Sequence, residues 1–433
     1  MARSPPTRGG TCRLNPDGWL AAAALALGLG LAGARANAQA ADVTNALNGR
    51  IELQDAGSFG RSDSVDAALG AAERNDALAN LRLTWEPTWD RWSLQVHYVV
   101  DLEHGPNVSH ALAEARLTPA PPSTLLNLTE TLVDQGQLVG HQGLDRLSVA
   151  YSAADFVVRV GRQALTWGSG VVFRPMDLFD PFSPSATDPE YKPGTDMLYG
   201  QRLFSDGSDL QLILVPRPAR RGGPVTTEAS SLAMHLHNTL LGHQTTWLLA
   251  RDHGDWVAGV GVNGALGGAS WNVEVVPTVL RQGGTRVSAL ANISDATTLF
   301  GRNATVFAEF FHNGFGVAGG RYDLADLPRD LLDRLSRGQL FNTRQDYLAA
   351  GLTLQVTPLL NLSPTLIANL DDASAFALLA ATWSFGDNLT LAAGFQVPIG
   401  PARTEFGRLP IAPAGARVLA SPGQIYLQLR RYF

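Results

Sequence analysis

Beyond residue 41 the chain alternates. In Trp92–Leu102 one face reads Trp92, Leu94, Val96, Tyr98, Val100 and Leu102, and the other reads Ser93, Gln95, His97, Val99 and Asp101. Asp346–Val356 does the same, with Leu348, Ala350, Leu352, Leu354 and Val356 opposing Tyr347, Ala349, Gly351, Thr353 and Gln355. Successive side chains of a strand point to opposite faces, so each segment makes one apolar face and one polar or small face. A tilted strand crosses a bilayer in about ten residues. Segments of that kind begin near residues 47, 79, 92, 144, 155, 196, 208, 230, 244, 255, 270, 284, 303, 346, 361, 375, 389 and 423. The pattern predicts an all-β chain, an antiparallel transmembrane barrel of 16–18 strands with 18 the best count.

Connector lengths test this independently. If Phe433 lies on the inner side, the long gaps 57–78, 103–143, 163–195, 217–229, 313–345 and 399–422 all fall at the opposite end. A soluble sandwich has no reason to place its long loops at one end, whereas outer-membrane barrels have short periplasmic turns and long external loops. Two gaps carry structure of their own. In 103–143 there is alternation at Leu125, Asn127 and Thr129 and a helical stretch at 109–117, and Leu327–Arg337 reads as a helix within an external loop, with Leu331, Leu332 and Leu335 on one face.

The first forty residues change the picture by giving an address. Arg3, Arg8 and Arg13 precede an apolar run from Trp19 to Leu31, and Ala38-Gln39-Ala40 follows. That order is a secretory signal peptide, expected over 1–40 with a single barrel domain over 41–433. Cys12, the sole cysteine, lies in the leader, so residues 41–433 have no disulfide, catalytic thiol or thiolate metal ligand. Of 33 basic and 39 acidic residues the leader holds four and one, leaving 29 against 38, a formal net charge of −9. That balance argues against nucleic acid as a partner. No stretch after the leader has the ~18 apolar residues of a membrane-spanning helix.

The last segment, Gly423–Phe433, places Ile425, Leu427, Leu429 and Phe433 on one side, with Arg431 interrupting the alternation. A terminal strand of this kind ending in Phe resembles the assembly signal of bacterial outer-membrane barrels. With the leader, the ten-residue strands and the one-sided loops, the chain resembles a Gram-negative outer-membrane β-barrel, similar in size to porins and to the alginate-export type of 18-stranded channel. The segment Val160-Gly-Arg-Gln-Ala-Leu-Thr-Trp-Gly-Ser-Gly170 and the later Pro-Met-Asp-Leu-Phe-Asp-Pro-Phe182 look like a signature of proteobacterial barrels. The resemblance implies outer-membrane lipid around the chain, the barrel-assembly machinery acting on Phe433, and a polar solute as partner.

Within that frame the run Thr166–Asp196 stands out, with five prolines and no period-2 or period-3.6 pattern. Unstructured loops this long are usually functional or disordered, and this one is too aromatic for disorder. It is expected to fold inward as a constriction, packing Trp167, Phe173, Phe179 and Phe182 on the wall. Arg174, Asp177, Asp180, Asp188 and Glu190 would face the pore, and Lys192, the sole lysine, belongs to the same constriction loop. Arg82, Arg159, Arg162, Arg202 and Arg430 are expected to line it. Arginine stays charged and offers a fixed fork of donors suited to carboxylate or phosphate groups in transit.

Other motifs carry less. Gly259-Val-Gly-Val-Asn-Gly264 matches a dinucleotide fingerprint, but a further alternating strand follows where a helix is required. His235 and His237 share a strand face with no third ligand nearby, which favours ordinary wall histidines over a metal site. Ser109-His110 and Asp371-Asp372 are sequence neighbours, whereas a catalytic triad is assembled in space. The sequence therefore predicts a porin-like channel for small or oligomeric polar solutes, anionic ones included, with no catalytic, cofactor or metal site. A plugged barrel that docks a surface or periplasmic partner is the alternative, and an outer-membrane hydrolase the third.

Overall fold

A computed structural model describes residues 47–108, 124–188, 190–220, 222–319, 327–410 and 418–433. Residues 1–40, expected as a signal peptide, the 109–117 stretch and Ser109-His110 lie outside the described residues. Eighteen long strands follow one another: β1 Leu47–Phe59, β2 Glu73–Trp85, β3 Trp92–His104, β4 Leu138–Ser152, β5 Phe156–Gln163, β6 Thr195–Leu203, β7 Asp209–Val215, β8 Ser231–Leu240 and β9 His243–Asp252. They continue as β10 Asp255–Leu266, β11 Ala269–Val279, β12 Thr285–Leu299, β13 Arg302–His312, β14 Asp346–Thr357, β15 Leu360–Asn369, β16 Ser374–Ser384, β17 Leu389–Ile399 and β18 Gly423–Tyr432.

Each strand pairs antiparallel with the next, and β1 pairs with both β2 and β18, so the sheet closes without an edge. Phe433 completes the seam: its N–H donates to Gly49 O at 3.0 Å and its O accepts from Gly49 N at 2.8 Å. Its ring covers Gly49 so closely that a Cβ there would lie 2.3 Å from it.

The alternation read from the sequence becomes an outside and an inside. Leu232 and Leu249, Val273 and Ile293, and Ile425 and Leu427 are all 41–60% exposed on the exterior, while Glu52, Glu274, Glu309 and Gln428 are buried at 0–1% inside. A soluble monomer rarely exposes apolar surface this continuous, and such an exterior is stable against lipid. At one end no connection exceeds 86–91, whereas the other carries 60–72, 105–137, 164–194, 216–230, 313–345 and 400–422. The termini of β1 and β18 lie at the short-turn end.

Two strand starts differ from expectation. β2 begins at Glu73 and β4 at Leu138, about six residues early in each case, because ladder pairing carries polar residues past the end of the apolar pattern. The alternation near Thr129 is a real strand, Thr129–Gln135, paired with β4 above the point where β5 stops. The helix Arg329–Ser336 buries Leu331 within the loop 313–345, beside Phe315, Leu327 and Leu409.

Candidate functional site

The loop 164–194 enters the barrel because its flanking strands are short. β5 has 8 residues and β6 has 9, against 15 in β4, and the strand Thr129–Gln135 completes the wall above them. Arg162 seals this exit with two bonds to Asp196, at 2.9 and 3.0 Å, and a third to Leu126 O. Gly194 is required there, since a Cβ would lie 2.2 Å from Asp145 O.

The first half of the loop is fastened to the inner face of β7–β14. Trp167 stacks on His235 with centroids 4.7 Å apart, and its indole N–H donates to Gln211 at 2.9 Å. Met176 is fully buried, with its methyl near Gly259 and Gly261, so the glycines of the supposed nucleotide fingerprint make room for a loop side chain within β10. Phe173 stacks on Phe311 at 4.6 Å beside Tyr347. Two wall carboxyl groups cap the loop backbone: Glu274 accepts from Ser169 N at 2.6 Å, and Glu309 accepts from Val171, Val172 and Phe173 N at 2.6, 2.9 and 2.8 Å. Neither glutamate is foreseeable from the sequence beyond its inward parity.

Lys192 ties the loop to itself. Its ammonium donates to both oxygens of Asp177 at 2.7 Å and to Leu165 O. Burial pushes the Asp177 carboxyl up to about 6 even beside the Lys192 ammonium, and burial lowers Lys192. Asp180 accepts from Thr195. Arg174 is half-buried and donates from Nε to Gly170 O at 3.1 Å.

The far end of the loop reaches the opposite wall. Asp188 and Glu190 accept from Arg50 at 2.9 and 2.8 Å, Tyr432 donates to Glu190 at 2.9 Å, and Arg430 lies 3.4 Å from Asp188 and 2.8 Å from Glu52. The Tyr191 ring receives Arg50 and Arg82 at 4.6 and 4.1 Å from its centre, and Arg82 also donates to Asp145. Arg50, Glu52 and Tyr191 belong to this cluster although sequence reasoning passed over them.

Of the five arginines expected on the wall, Arg82, Arg162 and Arg430 are buried or nearly so inside, engaged by carboxyl groups. Arg159 faces inward opposite Tyr199, since Val158 and Val160 face out. Arg202 corrects the expectation: it shares the outward parity of Leu198 near the short-turn end and pairs with Asp155 at 2.8 Å, 57% exposed. Register relative to β5, rather than residue type, decides its side.

Space is left between the far end of the loop and the wall of β1–β3. A cavity of about 480 Å³ is lined by Arg50 and Arg82 and by Glu52, Asp76, Asp101, Glu103 and Asp188, two basic side chains against five acidic. A second space of about 320 Å³ adjoins it at Gln424. Volumes of this size suit small solutes. His235 and His237 are separately engaged, with Trp167 and Asp209, and no metal-ligating cluster occurs among the described residues.

These features define a class by fold, a closed 18-stranded antiparallel β-barrel of the kind seen in outer-membrane channel proteins. OccAB3 of Acinetobacter baumannii superposes with a TM-score of 0.54 at 9% identity, over 89% of this chain and 99% of that one. OccK5 (OpdH) of Pseudomonas aeruginosa gives 0.53 at 7%, over 90% and 98%. Wzi of Escherichia coli, described as an outer-membrane, carbohydrate-binding β-barrel involved in group 1 capsule assembly, gives 0.50 at 9%, over 89% and 84%. No family model matches the chain, and no curated protein matches it by sequence.

Proposed function

We propose that the chain is an outer-membrane channel for small polar solutes, with the long loops outside and the short turns in the periplasm. One observation carries this reading: between the loop 164–194, whose first half packs on β7–β14, and the wall of β1–β3 lies a charged cavity of about 480 Å³, which we read as part of the passage. The arginines suggested anionic solutes, but each arginine of the passage is matched by a carboxyl group and the lining has more acidic than basic side chains. Rings of charge set ion preference, so we read the passage as favouring cations and neutral solutes over anions.

Planar-bilayer recording across a potassium chloride gradient tests this. A stable open level with a reversal potential on the cation side is expected, and deletion of 171–190 raises conductance. An anion-side reversal refutes the ion preference. A second reading has its own support. The loop bridges both walls through Arg50, and Wzi, with a similar fold, is described as binding carbohydrate and acting in capsule assembly. A barrel plugged for docking would show no open level, and that result would establish the second reading over the first.

A further inference from the structure

On the short-turn side of the loop, the inner wall of β12–β15 changes character. One row across these strands reads Ser294, Phe307, Gly351, Thr365. The next reads Ala296, Thr305, Thr353, Ser363, with the last two hydroxyls 3.1 Å apart. The third reads Thr298, Asn303, Gln355, Asn361, with Asn303 donating to Gln355 at 3.1 Å. No charged residue occurs in these three rows, in contrast to the wall of β1–β3. Thr305, Thr353, Asn303 and Asn361 are open to the lumen.

Phe307 is the one aromatic in this field. A Cβ on Gly351 would lie 2.8 Å from its ring, so the glycine lets the ring lie against the wall; Phe307 packs against the cluster of Phe173, Phe311 and Tyr347 and is half-buried, so part of it stays open to the lumen. An apolar ring face surrounded by amides and hydroxyls, without charge, complements a solute ring with C–H groups on its face and hydroxyls at its edge. Charged solutes would lose hydration there without gaining a counter-charge. We propose that this field is a binding site for neutral saccharides, with Phe307 as the stacking platform and Thr305, Thr353, Asn303 and Asn361 as hydroxyl partners. The site sits directly below the loop anchored on Glu309, where Asn292 holds Ser169 O at 3.1 Å. As a solute assignment it rests on the channel reading.

The probe is maltohexaose, titrated calorimetrically into the mature protein folded in detergent and, separately, added during single-channel recording. Saturable binding and reversible current interruption are expected. Phe307→Ala weakens binding about five- to tenfold, the scale of one aromatic contact, while Phe307→Trp retains it. Thr305→Val with Thr353→Val also weakens binding, and it provides the test if Phe307→Ala does not fold. The proposal is overturned if wild-type protein shows no saturable binding, if the substitutions leave affinity unchanged, or if oligogalacturonate of equal length binds more tightly. An open level without maltohexaose binding defeats this proposal alone, and Phe307-dependent binding without an open level defeats only the channel reading.

Discussion

Glu309→Ala examines what keeps the loop in the lumen. Glu309 is 1% exposed and its two oxygens accept three consecutive loop amides as well as Asn292 Nδ2 at 3.1 Å. Alanine removes all four bonds and supplies no acceptor. A buried amide left unpaired costs about 1–3 kcal/mol, and bonds to a carboxylate are at the upper end. Allowing for relaxation and water entry, the docked loop should lose about 3–6 kcal/mol, or on the order of 10²–10⁴ in the docking equilibrium. The barrel ladder does not pass through these bonds, so strand pairing survives. Heat-modifiable gel migration should therefore persist while conductance and current noise rise and chymotrypsin gains access near Phe179 and Phe182. Glu309→Gln keeps one acceptor oxygen and should show a smaller effect of about 2 kcal/mol. A folded Glu309→Ala barrel with wild-type conductance, noise and protease resistance would refute the reasoning.

Lys192→Met strands the buried Asp177 and should destabilise the protein by about 3–5 kcal/mol in denaturant titrations, whereas Asp177→Leu combined with Lys192→Met recovers most of the loss. Burial pushes the Glu405 carboxyl up to about 7 although Tyr347, Asn369 and Thr343 N donate to it at 2.6–2.7 Å. A raised carboxyl favours the protonated fold, so its stabilisation is complete below the ordinary carboxyl range and is lost as pH rises through about 7. Hydrogen exchange around 402–408, corrected for intrinsic rate, should be faster at pH 8 than at pH 5, and Glu405→Gln should abolish that difference. Deleting Phe433 opens the seam at Gly49, so the yield of heat-modifiable barrel in the membrane should fall severalfold. Gly49→Val should do the same by displacing the ring, and normal yields in both would remove the seam from the account.

The strands were legible because their signal is local. A period of two along Trp92–Leu102 or Gly423–Tyr432 specifies an apolar and a polar face whatever the neighbours are, and loop lengths alone place all the long connections at one end. The loop could be singled out by its prolines and aromatics, and the inward parity of Arg82 and Arg430 follows from their strands. Tertiary structure decided the rest. Whether the loop enters the lumen depends on β5 and β6 stopping early and on Glu309, 136 residues from the Phe173 amide it accepts. Arg202 and Arg430 look alike in sequence, yet registry puts one outside and the other against Glu52. The neutral field around Phe307 exists only across four strands, since no single strand carries it. Alternation is a property of one strand, but a pore wall is a property of neighbouring registers and of what fills the space they enclose.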